Sequence, residues 1–207
     1  MHIPNGTTAE LELMSFRDAL EAAGRPSQDY DVTKWLYVPN FYGEYRYLLG
    51  TKGNRPLICV GINPSTAEPD HLDNTLKSVE RIALGNGFDS FLMFNVYAQR
   101  ATNPDDMERI YNPVLHRENL EAFRYCLAAS DSPMVWAAWG AIIEKRDYLL
   151  HCVGDMAELG QKYGARWCCA GPLSKKGHPH HPLYLRKDEK LKAFDIQAYI
   201  KSQSSVK

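Results

Sequence analysis

The sequence predicts an α/β fold, with a central, largely parallel four-stranded sheet held in a three-layer sandwich between helices. Three observations predict it. Short apolar runs recur at 57–61, 90–97, 134–140 and 166–171. Segments with helical spacing separate them. Each run ends abruptly in glycine or small polar residues. Strands that are apolar throughout are buried on both faces, as parallel strands are when helices cover each side.

The elements follow in order. Leu11, Leu13, Met14, Phe16 and Leu20 form an apolar stripe that predicts an amphipathic helix over 9–23. The aromatic segment 35–50 predicts a hairpin ending near Gly50, and "TKGNR" after it is a turn. The run 57–61 is the first clear buried strand, and it empties into "GINPST". "NTLKSVERIALGNG" reads as a helix, capped by Asn74 or Thr75 and stopped by Gly85 or Gly87. "SFLMFNVY" is the second strand. "NPDDMERIYN" suggests a short helix, and 115–129 a longer one. "MVWAAWG" is a third strand stopped by Gly140; a helix from Ala141 to Leu149 follows, and 152–160 extend the helical region. "RWCCAG" is the fourth strand, "LSKKGHPHHPLYL" a loop and "KLKAFDIQAYIK" a terminal helix. There is no internal repeat, and the tail "SQSSVK" is the one low-complexity stretch. The chain reads as one domain over 1–207, with 1–50 an N-terminal helix and hairpin elaborating a core of 51–200.

Composition narrows the function. A net charge of −1 gives no global basic field, so any nucleic-acid binding must rest on a local groove. No apolar run nears the ~20 residues of a membrane span, and the N-terminus lacks a signal-peptide pattern. A cytoplasmic, monomeric protein is expected. Cys59, Cys126, Cys152, Cys168 and Cys169 match neither a zinc nor a disulfide framework and read as reduced core residues.

In parallel sheets ligands bind beyond the carboxyl ends of the strands. The polar residues after Val60, Phe94, Trp139 and Ala170 are therefore expected at one sheet edge, as a site built from "GINPST", "FNVYAQR", "WG" and "GHPHHPLYL". Plainer readings stand beside this one. "GINPST" is also a turn that caps the next helix. Asn95 also fits a backbone cap, Trp136 and Trp139 fit the core, and Arg100 fits an internal salt bridge. Glu68, Asp70 and Asp73 also fit a solvated acidic loop. His178, His180 and His181 sit too close together to share a metal easily, and no cofactor is expected.

The four segments, in this order, resemble the uracil-DNA glycosylase superfamily, and residues 61–65 match four of five positions of the motif that opens the site in its mismatch-specific branch. The likeness spans about 57–185. The whole chain is similar, more closely still, to small bacterial and phage proteins defined only as a domain of unknown function, through "GINPSTA", "FN", "WG" and "HPLYL". The superfamily resemblance implies a monofunctional DNA glycosylase that removes a pyrimidine by hydrolysis, leaving an abasic site. On that footing Asn63 positions the attacking water, more weakly than a carboxylate would. His178 or His181 donates to a carbonyl of the leaving base; "HPHHPL" is one residue longer than the family's loop, and His178 is preferred because His-Pro leads the motif and Gly177 precedes it. Asn95 reads the edge of an everted base. Gly61, Ile62, Pro64 and Trp139 complete the substrate site. Ser65 replaces a Tyr that blocks C5 in uracil-specific enzymes, so bases enlarged at C5 are the expected targets. Thr66, Arg100, Ser174, Lys175 and Lys176 would meet the DNA backbone. Leu183, Tyr184 or Leu185 would fill the vacated stack. Asp73 is the next choice of catalytic carboxylate after Asn63. An enzyme acting on free nucleosides or nucleotides, and a binding module without chemistry, are the competing readings.

Overall fold

A computed structural model describes residues 1–204; the last three residues of the polar tail lie outside the described residues. In chain order the elements are α1 (Phe16–Ala23), β1 (Trp35–Val38), β2 (Leu48–Thr51), β3 (Pro56–Gly61), α2 (Asn74–Gly85), β4 (Ser90–Asn95), α3 (Pro113–Ala128), β5 (Met134–Ala137), α4 (Asp147–Lys162), β6 (Arg166–Ala170), β7 (Leu191–Ala193) and α5 (Ile196–Ser204). Short 3-10 turns occupy Thr8–Glu10, Pro104–Asp106, Gly140–Lys145 and Pro182–Tyr184.

The α/β class is observed, but among the described residues the sheet has seven strands instead of four, in the order β1-β2-β4-β3-β5-β6-β7. The β4-β3, β3-β5 and β5-β6 pairings are parallel, while β1-β2, β2-β4 and β6-β7 are antiparallel. The aromatic hairpin forms, yet β2 hydrogen-bonds directly to β4, so these N-terminal strands widen the main sheet. The terminal helix is shorter than expected because Leu191–Ala193 pairs with β6 as an edge strand.

Helices pack on both faces. Ile58, Val60, Leu92, Phe94 and Val135 face a core shared with α1, α3, α4 and α5. Leu57, Cys59, Phe91, Met93 and Trp136 alternate to the other face, against Leu76, Val79, Ile82 and Ala83 of α2. All five cysteines are free and buried.

Local chemistry explains the shifted boundaries. α1 begins at Phe16 because the Ser15 side chain accepts from the Asp18 N–H, leaving Leu11–Met14 outside the helix. Asp73, not Asn74 or Thr75, caps α2, its Oδ1 accepting from Leu76 N at 2.9 Å. The helix expected from Ala141 is a 3-10 turn that breaks at Arg146, whose guanidinium donates to the carbonyls of Asp105, Met107 and Glu108. Among the described residues no helix is long and apolar enough to cross a membrane.

Candidate functional site

The polar ends of β3 and β4 are stitched side by side. Val96 N donates to Gly61 O at 2.9 Å, Tyr97 N to Ile62 O at 2.9 Å and Ala101 N to Pro64 O at 2.9 Å. This lateral pairing brings Asn63 and Asn95 into one cleft of ≈ 460 Å³ beyond the strand ends. The cleft also receives Arg46, Ser65, Thr66, Asp73, Thr102 and His181, with Leu183 and Tyr184 among its wall residues.

Asn95 is the decisive side chain. It shares a sheet face with Phe91 and Met93 by strand alternation. It is 1% exposed, yet neither its Oδ1 nor its Nδ2 has a hydrogen-bond partner. Buried amides are normally satisfied, so a fully orphaned one at the wall of a cleft is a candidate recognition group for a ligand. Its backbone is held firmly, because Asn119 of α3 donates to Asn95 O at 2.9 Å. Gly61 makes the space: a Cβ there would lie 2.6 Å from Met93 Cε and 3.1 Å from Asn95 Oδ1.

The Asn63 amide nitrogen donates to Pro64 O at 3.0 Å and Ala101 O at 2.7 Å. Both partners are carbonyls, which fixes the amide orientation and leaves Oδ1 as the atom available to accept from a water or ligand. His181 accepts from Leu183 N at 3.3 Å through Nδ1, so its Nε2 carries the proton as a neutral donor. Burial pushes its pKa down, opposed by the nearby Asp73 carboxylate. Gly140, at φ +64°, lies against this loop; a Cβ there would sit 3.4 Å from His181 Cβ.

His178, the preferred histidine, lies outside this cleft. It is 2% exposed and borders a separate cavity of ≈ 180 Å³ with Ile143, Glu144, Tyr199 and Gln203. Trp139 Nε1 donates to the Tyr199 hydroxyl at 3.1 Å, and that hydroxyl lies 3.0 Å from His178 Nδ1. His178 Nε2 meets Glu144 Oε1 at 3.1 Å. An ionised Glu144 only accepts, so Nε2–H donates to it and the Tyr199 hydroxyl donates to Nδ1. The whole chain of partners is satisfied.

Other expected site residues are corrected by their surroundings. Trp139 is wholly buried among Trp167, Phe194 and Tyr199, away from the cleft. Arg100 is wholly buried and cannot reach a DNA backbone; it donates to Ser65 O and to the Tyr37 hydroxyl and stacks on Tyr42. Ser174 spends its hydroxyl accepting from His178 N at 3.0 Å, and Lys176 pairs with Glu144 at 2.9 Å. Lys175 is exposed outside the cleft. Leu185 packs on the α2-side core beside Gly171, whereas Tyr184 is 74% exposed at the cleft. Asp73 lines the cleft while capping α2. Asp70 is tied to β1 through Trp35 Nε1 at 3.0 Å and does not line the cleft. The three clustered histidines face different partners, His180 meeting Pro172 O at 3.1 Å.

Two residues escaped sequence reading. Asn119 gave no signal in a helical stretch. Arg46, 1% exposed, lines the cleft from the segment before β2. A lone arginine inside the apolar run "YRYLL" was its available signal. Burial, and Arg100 beside it, push Arg46 down to about 9, so it keeps its charge at neutral pH.

The chain matches the family described as "Protein of unknown function (DUF1643)" over residues 46–183, about two thirds of its length. It belongs to that family. No curated protein and no solved structure matches it. The family match begins at Arg46 and takes in the Asn63, Asn95 and His181 segments of the cleft.

Proposed function

We propose that this protein hydrolyses the N-glycosidic bond of a mismatched or C5-enlarged pyrimidine in DNA, leaving an abasic site. The observation that carries the proposal is the buried, unpartnered Asn95 amide in the same cleft as Asn63 and His181. An amide offers one acceptor and two donors, the complement of a pyrimidine's polar edge. The free Asn63 Oδ1 orients water toward the sugar. The His181 Nε2–H donates to a carbonyl of the departing base, where negative charge develops. Asn63, Asn95 and His181 come from three of the four segments that resemble the uracil-DNA glycosylase superfamily, and the proposal places the chain beside that superfamily. Ser65 at the cleft leaves room for a C5 substituent, and Tyr184 is the exposed side chain suited to the vacated stack. A cytoplasmic monomer acting in repair or antiviral defence fits this chemistry.

The test incubates purified protein with DNAs carrying uracil, thymine mismatches, 5-hydroxymethyl and glycosylated pyrimidines, then cleaves abasic sites with alkali. Wild type is expected to release at least one base, and Asn63→Ala to release it far more slowly. Identical behaviour of the two on every DNA overturns the assignment. Ser65→Tyr is expected to abolish action on C5-enlarged bases while sparing smaller ones.

A second reading, hydrolysis of a free nucleotide, is favoured by one observation: Arg46 is a buried cation in the cleft with no ion-pair partner among the described residues.

A further inference from the structure

We infer that Arg46 is an oxyanion-binding residue, so that the ligand of this cleft sets a carboxylate or phosphate group against Arg46 while a nucleobase edge pairs with Asn95. The inference rests on the proposed reading of the cleft as a base pocket and names the class of ligand that fills it.

Arg46 enters the cleft from the segment that precedes β2, its backbone N–H anchored on Ala98 O at 2.9 Å. One guanidinium nitrogen, Nη1, donates to Ala67 O at 2.9 Å. Its Nε is buried with no partner. No carboxylate lies within 4 Å of it among the described residues. A buried cation without a contacting counter-charge is costly, and a ligand oxyanion in the cleft would offset that cost. Arg100 adds a second buried cation, which donates to Ser65 O and Ala67 O, the same loop that Arg46 holds. Asp73 shares the cleft and its negative charge acts on Arg46 across it, but the two form no direct ion pair, and Asp73 Oδ1 accepts from Leu76 N. Glu68, the other acid near these arginines, accepts from the Tyr37 hydroxyl at 3.4 Å.

The geometry around Arg46 argues for a two-pronged acceptor. With Nη1 held on a backbone carbonyl, the guanidinium's remaining N–H groups lie in one plane, an arrangement that suits a carboxylate or phosphate better than a single carbonyl. Asn95, also 1% exposed and unpartnered, supplies the second anchor. Ligands with an amide edge alone would leave the cation unpaired. Ligands with an oxyanion alone would leave the amide unpaired.

The test measures, by titration calorimetry on the full chain, binding of 2′-deoxyuridine, 5-carboxy-2′-deoxyuridine and 2′-deoxyuridine 5′-monophosphate. One of the two oxyanion-bearing ligands is expected to bind at least about tenfold more tightly than deoxyuridine. A gain from the carboxylate assigns the oxyanion to the base; a gain from the phosphate assigns it to the sugar. Arg46→Met is expected to remove the gain, so that all three ligands bind alike, while Arg46→Lys keeps part of it. The wild-type comparison alone suffices should Arg46→Met fail to fold. Equal affinity for all three ligands, absence of binding included, overturns the inference, as does a gain that survives in Arg46→Met. Failure of the glycosylase reading looks different: no DNA yields an abasic site while the oxyanion preference persists.

Discussion

Two cavities flank the histidine loop, and they differ in whether their polar groups are satisfied. Around His178, Trp139, Tyr199, His178 and Glu144 form an unbroken series of donors and acceptors. Around Asn63, the Asn95 amide and the Arg46 Nε are buried without partners. Satisfied polar chains help to fix a fold, while unsatisfied groups at the wall of a cleft are candidates for ligand contacts. The contrast teaches that the histidine nearest the familiar His-Pro motif staples α5 and the loop to the core. The histidine that shares the cleft with the unpartnered amide is the one proposed to act.

Substitutions can break that contrast, and the largest effect is expected at Asn95. Asn95→Ala is expected to lower base release by about a hundredfold or more, the usual penalty for losing a preorganised hydrogen-bonding group. Thermal stability should stay level or rise, because no protein partner loses a bond; a drop in melting temperature of many degrees would make Asn95 structural. His178→Ala should show the converse. It removes two hydrogen bonds and strands the buried Tyr199 hydroxyl, a loss of roughly 2 kcal/mol in denaturant unfolding, while activity per folded molecule holds. A selective loss of activity with unchanged stability would return the catalytic role to His178. Trp139→Phe removes the first bond of the same chain, and a smaller loss of about 1 kcal/mol is expected.

The smallest effect concerns pH. Burial lowers the pKa of His181 and of His116, a buried residue of α3, against the opposing pull of Asp73 and Asp155. Between their folded values and about 6.5 the unfolded chain binds more protons than the folded one, so stability rises with pH across that window. Melting temperature is expected to fall as pH drops from 7 toward 5, and His181→Gln should flatten part of that slope. An unchanged slope would place His181 in water, not in a closed cleft.

The interior of the fold was legible because its strands are coded by long-range burial. The runs at Leu57, Phe91, Val135 and Trp167 are apolar on both faces, and only a strand covered on both sides tolerates that. The edges were not legible. Leu191–Ala193 is short, carries Lys192 and is mostly exposed, so its pattern is no different from a loop. Of the site, Asn63, Asn95 and His181 were visible as polar residues ending apolar runs. What the sequence could not reveal is pairing state. His178 and His181 look alike as letters and differ in whether Tyr199 and Glu144, both distant in sequence, claim the ring. Arg46 was hidden for the opposite reason: its tyrosine neighbours made it look like decoration on a hairpin.

The direct bonding of β2 to β4 has a further consequence. The N-terminal hairpin region delivers the cleft's buried cation, so the pocket is not a module confined to the parallel strands. A chain trimmed back to residue 51 would retain the amide and the imidazole yet lose their charged companion. Transplanting the loops after β3 and β4 onto another sheet would import half of the recognition surface.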